Sequence, residues 1–433
     1  MSTATRLDAA TLPRLLAGLD GPDGLRGLAR HVDVHGELPI EAAPGRPDPS
    51  LLEQVRAAGL GGRGGAMFPV SRKIEAVLSQ RGRPVVVINC AEGEPPSRKD
   101  HVLMRGAPHL IIDGAIVCAA LVGADEVTIA LEAGSRREFR VLEEALDERA
   151  ALRLDTVDID LATVPDGFVV GEERALINAL EGGPGRPTHA PPRPFEKGLG
   201  GAPTLVQNAE TAAQLALIAR YGAKWFRTLG TDEEPGSALV TLTGAVAHPG
   251  VYEIPLGARL QDLLVAAGGL AAPVQAYLIG GYIGCWISAR DAEQLVLANA
   301  ALRPLGAALG ARAIVALPET ACGVAETARV ARYMAEQSAG QCGPCIYGLD
   351  AIAGGMERLA RGDGRQLPDI ERWLGMVKGR GECRHPDGAA QLIASALTVF
   401  DAEIHRHIDA RKCGGDGTPA LPTTNSSRTR SRA

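Results

Sequence analysis

A regular alternation of short β-type runs with helical segments, beginning at Arg83, constrains this chain most strongly. RPVVVIN (Arg83 to Asn89) is a strongly β-type run, the pattern of a buried strand. HLIIDGAIVCAALVGA, from His109, reads as a helix and EVTIAL (Glu126 to Leu131) as a strand. SRREFRVLEEALDERA reads as a helix, GFVVG (Gly167 to Gly171) as a strand and EERALINALEG as a helix. Alternation of this kind predicts a parallel sheet covered by helices.

The flanking segments follow other patterns. Residues 1–50 read as a lead-in, with a short amphipathic helix from Leu12 to Leu19 and the Pro-rich linker ELPIEAAPGRPDPS. LLEQVRAAGL, from Leu51, is helical and runs into a glycine cluster. SALVTLTGAV, GVYEIPLG, ARLQDLLVAAGG and AYLIGG place short strands around one helix, the signature of a small α+β module. From about Cys322 to Arg411 four helical segments predict a bundle. The tail GGDGTPALPTTNSSRTRSRA is polar and rich in turn residues, and disorder is expected there. The expected divisions are 1–50, 51–235, 236–315, 320–412 and 413–433.

At roughly 100–200 residues per domain, 433 residues suit such a multi-domain chain. The net charge of −6 and an aromatic content of 3% argue against a nucleic-acid-binding protein, which needs basic patches or stacking platforms. The first residues, MSTATRLDAATLPRLLAGLD, lack the apolar core of a signal peptide. The stretch from Leu110 is broken by Asp113, Asp125 and Glu126, so no membrane span is expected. A cytoplasmic location follows as an expectation. The 8 cysteines are scattered through a large chain, a usage that suits buried thiols, metal ligands or redox groups rather than disulfides.

Three loops of the α/β segment carry chemistry-bearing residues. Gly59 to Pro69, GLGGRGGAMFP, offers backbone N–H groups that approach an anion closely, with Arg63 and Lys73 supplying positive charge. A plain glycine turn has the same local pattern. Asn89-Cys90-Ala91-Glu92-Gly93-Glu94-Pro95 leaves the carboxyl end of the strand RPVVVIN, where open α/β sheets bind ligands. A solvated acidic turn is its plain alternative. Gly171-Glu172-Glu173 opens a helix, an anion site that acidic residues also suit on dipole grounds alone. Three such loops in one segment point to a shared ligand crevice. Further on, Cys342-Gly343-Pro344-Cys345 and Cys383 form a thiol set compatible with an iron–sulfur cluster or zinc.

In their order, GGRGGAMFP, INCAEGEPPSRKD, VVGEERALINALEG, GLGGAPTLVQNAET and SAGQCGPCIYGLD resemble the NADH-binding flavin subunit of respiratory complex I. The flavin subunits of NAD-linked hydrogenases and formate dehydrogenases share the pattern. The resemblance runs from about Leu51 to Ala410. It implies a Rossmann-like FMN domain, a ubiquitin-like β-grasp (SLBB) module and a C-terminal helical bundle with a [4Fe–4S] cluster. By position, FMN would contact Gly62, Arg63, Gly64, Lys73, Asn89, Glu92, Gly171, Glu172, Asn208 and Thr211. Phe68, Glu94 and Glu173 would face NAD(H), and Cys342, Cys345 and Cys383 would bind the cluster. The resemblance assigns no catalytic side chain, because the flavin carries the chemistry. It implies hydride transfer from NADH or NADPH to FMN, then single electrons through the cluster to an electron-accepting partner, a ferredoxin-like or thioredoxin-like iron–sulfur subunit.

This chain departs from the family pattern at several positions. Ala339 stands where the family has its first cluster cysteine, leaving Ser338, His385 or Cys322 as substitute ligands. Cys342, Cys345, Cys383 and His385 together also suit zinc. Met67 replaces a glycine of the flavin loop, and Ala76 and Gly200 replace aromatics that stack on adenine. Ala91 replaces an Asp, and Gln207-Asn208 an Asn pair. A divergent, non-catalytic relay or assembly subunit is the alternative. Cys90, Cys118, Cys285 and Cys322 read as packed thiols, Cys413 as a surface thiol, and His405 and His407 as solvated.

Overall fold

The computed structural model describes residues 12–19, 24–40, 43, 45–410, 413 and 415–423. They form two units: residues up to 93 with 98–239 and 251–258, and residues 94–97 and 240–250 with those from 259 on.

In the first unit, α1 (Leu28–His35), α2 (Pro49–Ala58) and α3 (Val70–Leu78) precede the sheet. Then come β1 (Val85–Asn89), α4 (Lys99–Gly106), α5 (Pro108–Val122), β2 (Glu126–Glu132) and α6 (Arg136–Ala151). β3 (Asp158–Val164), α7 (Glu173–Leu180), β4 (Thr204–Asn208) and α8 (Ala209–Phe226) complete it. The strands lie in the order β3-β2-β1-β4, all parallel. Successive side chains of a strand point to opposite faces. Val86 and Ile88 accordingly enter a large apolar cluster with α5 and α8, while Val87 enters a smaller one with Val206 and Leu176. This two-sided burial explains the unbroken apolar run of β1.

All fifteen residues of α5 are buried. Its backbone meets α8 so closely that a Cβ on Gly114 would lie 2.1 Å from the Ala212 carbonyl oxygen. The one carboxylate of α5, Asp113, is 2% exposed. It accepts from Arg149 Nη1 at 2.9 Å and from Arg220, and its Oδ2 lies 2.8 Å from His31 Nε2. Burial opposes the charge, but these three partners hold the Asp113 carboxyl far below the usual carboxylate range. One side chain thus ties α1, α6 and α8 to the central helix.

Two local expectations are corrected. GFVVG is not a strand: Val169–Gly171 form a single tight helical turn whose Val170 packs into the apolar cluster of Val87 and Val206. The adjoining strand is DIDLATV, an edge strand with little burial and hence a weak hydrophobic signal. Leu12 to Leu19 form turns rather than a helix. Their amides are collected by one carboxylate instead, because Arg14 N, Leu15 N and Leu16 N donate to Glu253 Oε2 at 2.7, 2.9 and 3.2 Å. Residues 1–11 lie outside the described residues.

The small α+β module comprises β5 (Ser237–Gly244), β6 (Gly250–Pro255), α9 (Leu260–Ala266), β7 (Val274–Ile279), β8 (Cys285–Ser288), the short α10 (Asn299–Leu302) and β9 (Ala313–Pro318). Its sheet runs β6-β5-β9-β7-β8, with β5 parallel to β9 and β7 antiparallel to both neighbours. Five strands grasping one helix match the β-grasp expectation. The helical region of the second unit holds α11 (Gly323–Glu336), α12 (Leu349–Ala360), α13 (Leu367–Val377), α14 (His385–Val399) and α15 (Asp401–Ala410). The last expected helix is two, broken at Phe400. Its ring packs against Trp286 at 5.2 Å between centroids and fills the space beside Gly323.

The segment 415–423 is not loose, contrary to the expectation for the tail. Asp416 N donates to Thr320 O at 2.9 Å and Leu421 N to Glu326 Oε2 at 2.7 Å. Residues 424–433 lie outside the described residues. Among the described residues no single helix is long and apolar enough to cross a membrane.

Gly114→Ala forces a methyl into the Ala212 carbonyl, and overpacking of this kind costs about 1–3 kcal/mol. A urea unfolding curve should show a lowered midpoint. An unchanged midpoint would contradict the α5–α8 backbone contact.

Candidate functional site

The sheet order reverses direction at β1: the chain leaves β1 toward β2 and returns on its other side as β4. Crevices at the carboxyl ends of such strand pairs are where open α/β sheets bind ligands. Asn89 and Asn208 end β1 and β4 and are direct register partners. Asn89 Nδ2 donates to Gly171 O at 2.9 Å, joining the third loop to the sheet. Asn208 Oδ1 caps α8 by accepting from Glu210 N at 3.1 Å, and its Nδ2 donates to Asp100 Oδ2 at 2.7 Å.

The glycine loop is closed by Gly62 N donating to Phe68 O at 2.9 Å and Val70 N to Leu60 O at 2.9 Å. Space is open beside Gly64 of this loop and Gly171 of the third loop, whereas Met67 covers Gly61. A Cβ on Gly64 would meet only Asn208 Cβ at 3.4 Å, and one on Gly171 only Ala91 O at 3.6 Å. Gly64 and Gly171 therefore leave room for a planar ligand, whereas Gly62 lies against Phe68, whose carbonyl oxygen a Cβ would meet at 3.4 Å. Phe68 stands on the loop 53% exposed, its ring open for stacking.

The charged residues hold different places from those the sequence suggested. Arg63 is fully buried and its guanidinium points inward, donating to Gly61 O at 3.0 Å and Ser237 O at 2.9 Å. Its backbone N donates to Thr211 Oγ1 at 2.8 Å, so Arg63 and Thr211 fasten the loop to α8. Lys73 Nζ donates to Glu173 Oε2 at 2.7 Å, bridging α3 and α7. Glu172 caps α7 itself, accepting from Arg174 N at 3.0 Å and Ala175 N at 3.1 Å. The free helix N-terminus expected at the GEE loop is thereby taken up by its own acidic residue.

Glu92 Oε2 accepts the N–H groups of Asp100 and His101, each at 3.1 Å. Beside it lies a buried network that single motifs did not reveal. Lys99 Nζ donates to Asp100 Oδ1 at 2.8 Å, Glu210 Oε2 at 3.0 Å and Asn208 Oδ1 at 3.3 Å. Burial first, then the Glu92 charge, pushes the Asp100 carboxyl up against the pull of Lys99. Burial and Asp100 push the Cys90 thiol well up, in keeping with an unreactive packed role. Glu132, at the end of β2, is raised to about 7 by burial, with Gly167 N as a partly compensating donor at 3.3 Å. Lys99, Glu210 and Glu132 are charged residues in apolar or mixed contexts, and only the fold brings them to the crevice.

In the second unit, Glu94 accepts from Tyr282 N at 2.9 Å. The thiols of Cys342 and Cys345 follow α11, and Cys383 precedes α14. Burial pushes the Cys345 thiol up to about 12, reinforced by the hydrogen bond it donates to Cys342 and by the charges of Cys342 and Cys383. Three thiols gathered in this way fit an iron–sulfur centre. Ala339 is buried, and its side chain offers no ligand atom. Of the suggested substitutes, His385 Nε2 donates to Met334 O at 2.7 Å, and Ser338 N donates to Ala335 O at 3.3 Å. Cys322 lies elsewhere, with its Sγ 3.2 Å from His407 Nε2.

A parallel sheet with an open glycine crevice at its switch point, a β-grasp module and a helical region with clustered thiols define a flavin- and iron–sulfur-binding redox protein. Comparison with known proteins agrees. Residues 55–217 match the Nuo51 FMN-binding domain, 239–281 the SLBB domain and 325–407 the NADH-ubiquinone oxidoreductase-F iron–sulfur binding region. The second F subunit of NADH-quinone oxidoreductase from Rhizobium meliloti is 31% identical over 93% of this chain and 99% of that protein. The F subunit of the Streptomyces coelicolor enzyme is 32% identical over 89% of this chain and 88% of that protein. The chain belongs to the family of NADH-quinone oxidoreductase F subunits. Among solved structures, an NAD+-reducing [NiFe]-hydrogenase in its H2-reduced state matches at 30% identity with a TM-score of 0.76. That match covers 87% of this chain, which spans 65% of the hydrogenase chain. The air-oxidised form matches with a TM-score of 0.78 at 29% identity, over 97% of this chain and 70% of that one.

Met67 keeps a glycine-type backbone, φ 52°, and its thioether folds back to 3.5 Å from Arg63 Nη1. Met67→Gly relieves that conformation and should raise stability by about 1 kcal/mol. A lowered thermal midpoint would contradict this. Gly200→Phe is the reverse case: φ is 60° and a bulky residue there is strained. For Glu132, the folded pKa lies above the unfolded value. The folded state thus holds a proton that the unfolded state has lost. Its stabilising contribution is present at acid pH and fades as pH rises through about 7. Glu132→Gln should flatten the fall in stability between the ordinary Glu range and about 7. A pH series of unfolding curves with the same slope in both proteins would contradict this.

Proposed function

We propose that this chain is the flavin-bearing, NADH-oxidising subunit of an electron-transfer complex. It takes reducing equivalents from a reduced nicotinamide nucleotide and passes them singly to a partner iron–sulfur protein. The observation that carries this reading is the pairing of Asn89 with Asn208 at the switch point, beside a glycine loop with open space. Bound FMN supplies hydride acceptance and one-electron release, chemistry that no side chain here possesses.

The residues of this chain bind and orient. Gly64 and Gly171 let a flavin lie against backbone, and Asn89 and Asn208 present amides at the rim. Arg63 and Thr211 hold the loop in place from behind, and Glu92 fixes the start of α4. Lys73, Glu172 and Glu173 form the opposite wall, where Lys73 exchanges part of its bond with Glu173 for ligand contacts. Phe68 stacks on adenine, and Glu173 faces the nucleotide. With Ala76 and Gly200 in place of rings, two stacking contacts of about 1 kcal/mol each are missing. NADH binding should then be at least about tenfold weaker than in a relative with both rings.

Cys342, Cys345 and Cys383 would hold a [4Fe–4S] cluster, which would pass electrons singly, and Ala339 would supply no fourth thiolate. The acceptor is an iron–sulfur subunit of ferredoxin-like or thioredoxin-like type, and the complex acts in the cytoplasm.

An anaerobic titration of the reconstituted chain with NADH tests the reading. Bleaching of the bound flavin is expected, with saturation only at high NADH. Bound flavin that does not bleach with NADH or NADPH would overturn it in favour of a relay subunit. For the cluster, Ala339→Cys should retain its full iron on exposure to air, while the parent chain loses iron readily. Equal retention in both proteins would contradict the three-thiolate assignment.

A further inference from the structure

The family's cofactors do not account for a second thiol-and-imidazole cluster, formed by Cys322, His407 and Cys413. Their ligand atoms all lie within 4.8 Å of one another. From sequence alone Cys322 belongs in the core, His407 in solvent and Cys413 on the surface. The structure corrects the second: His407 is 1% exposed.

Three separate segments converge here. Cys322 precedes α11, and its Sγ accepts from Ala325 N at 3.2 Å. His407 lies on α15, with Nδ1 2.7 Å from the Ala360 carbonyl oxygen at the end of α12. A carbonyl only accepts, so Nδ1 carries the proton and the Nε2 lone pair faces Cys322 Sγ at 3.2 Å. A backbone carbonyl that fixes the tautomer of a ligating histidine is the usual outer-shell arrangement of zinc sites. Cys413 arrives from the tail. Gly415 packs so tightly on Cys322 that a Cβ there would lie 2.8 Å from Cys322 N. The bonds from Asp416 to Thr320 and from Leu421 to Glu326 hold that course. Glu403, one turn before His407, puts Oε1 3.8 Å from His407 Nε2, while its oxygens accept from Gly323 N and Val324 N at 3.3 and 3.4 Å and so hold the start of α11 against α15.

We propose that Cys322, His407 and Cys413 bind a Zn2+ ion, and that the ion locks the C-terminal tail onto α11 and α15. A tetrahedral ion with Zn–S of about 2.3 Å and Zn–N of about 2.0 Å needs sulfur and nitrogen roughly 3.5 Å apart. The observed 3.2 Å is close to that spacing. Two thiolates and an imidazole suit zinc better than the hard cations, which prefer oxygen. No electron transfer is involved, and the two thiol protons are released on binding.

The test is a Co2+ titration of the full chain with its iron–sulfur centre reconstituted, kept under reductant, with Zn2+ as competitor. Roughly one Co2+ per chain should bind, with thiolate-to-cobalt charge-transfer absorption that Zn2+ removes. Cys413→Ala alters an exposed residue and leaves the fold in place. It should weaken binding roughly tenfold or more and cut the charge-transfer intensity, whereas Ala339→Cys should leave both unchanged. Zinc should also slow amide exchange across residues 415–423. Equal Co2+ binding by the parent chain and Cys413→Ala would overturn the assignment. So would a Cys322–Cys413 disulfide in the reduced preparation with no bound ion.

Discussion

The parallel pairing of β1 with β4 is the constraint on which the candidate site depends. Register alone sets Asn89 opposite Asn208, and the direction change at β1 leaves their carboxyl ends facing an open crevice. A slip of one residue would exchange the faces of every side chain on β4. Val206 would leave its apolar cluster, and Asn208 would turn away from Asp100. Burial on both faces of β1 makes such a slip costly. The core therefore fixes the geometry of the crevice before any ligand binds.

Around that pairing the charges are arranged to support the loops rather than to wait for an anion. Arg63 holds carbonyls from behind its loop, Glu172 caps its own helix, and Lys99 is enclosed by three acceptors. Open space lies on the side of the glycines. The crevice offers shape, amides and a few adjustable ion pairs. That combination suits a cofactor whose ring does the chemistry and whose protein contacts tune it.

Much of this was legible in the sequence where the signal was strong and local. The long apolar helix containing Asp113, the strand RPVVVIN and the β-grasp strands form as their patterns predict. The departures have physical causes. DIDLATV is an edge strand buried on little of its surface, so its alternation was masked by the more apolar GFVVG, which folds as a turn. Leu12 to Leu19 do not form a helix because Glu253, over two hundred residues away, captures their amides. The glycine loop and the cysteines could be found by residue type. The inward aim of Arg63, the Lys99 network and the meeting of Cys322 with His407 are tertiary facts that no local spacing encodes.

The Asn89–Asn208 crevice is the expected seat of the flavin. Titration of the chain with FMN, followed by quenching of flavin fluorescence, tests it most directly when repeated with Asn208→Ala and Gly64→Val. Saturable binding of FMN by the parent chain is expected, with a loss of affinity of roughly tenfold or more in each variant and the fold retained by circular dichroism. FMN binding of equal strength in all three proteins would contradict it.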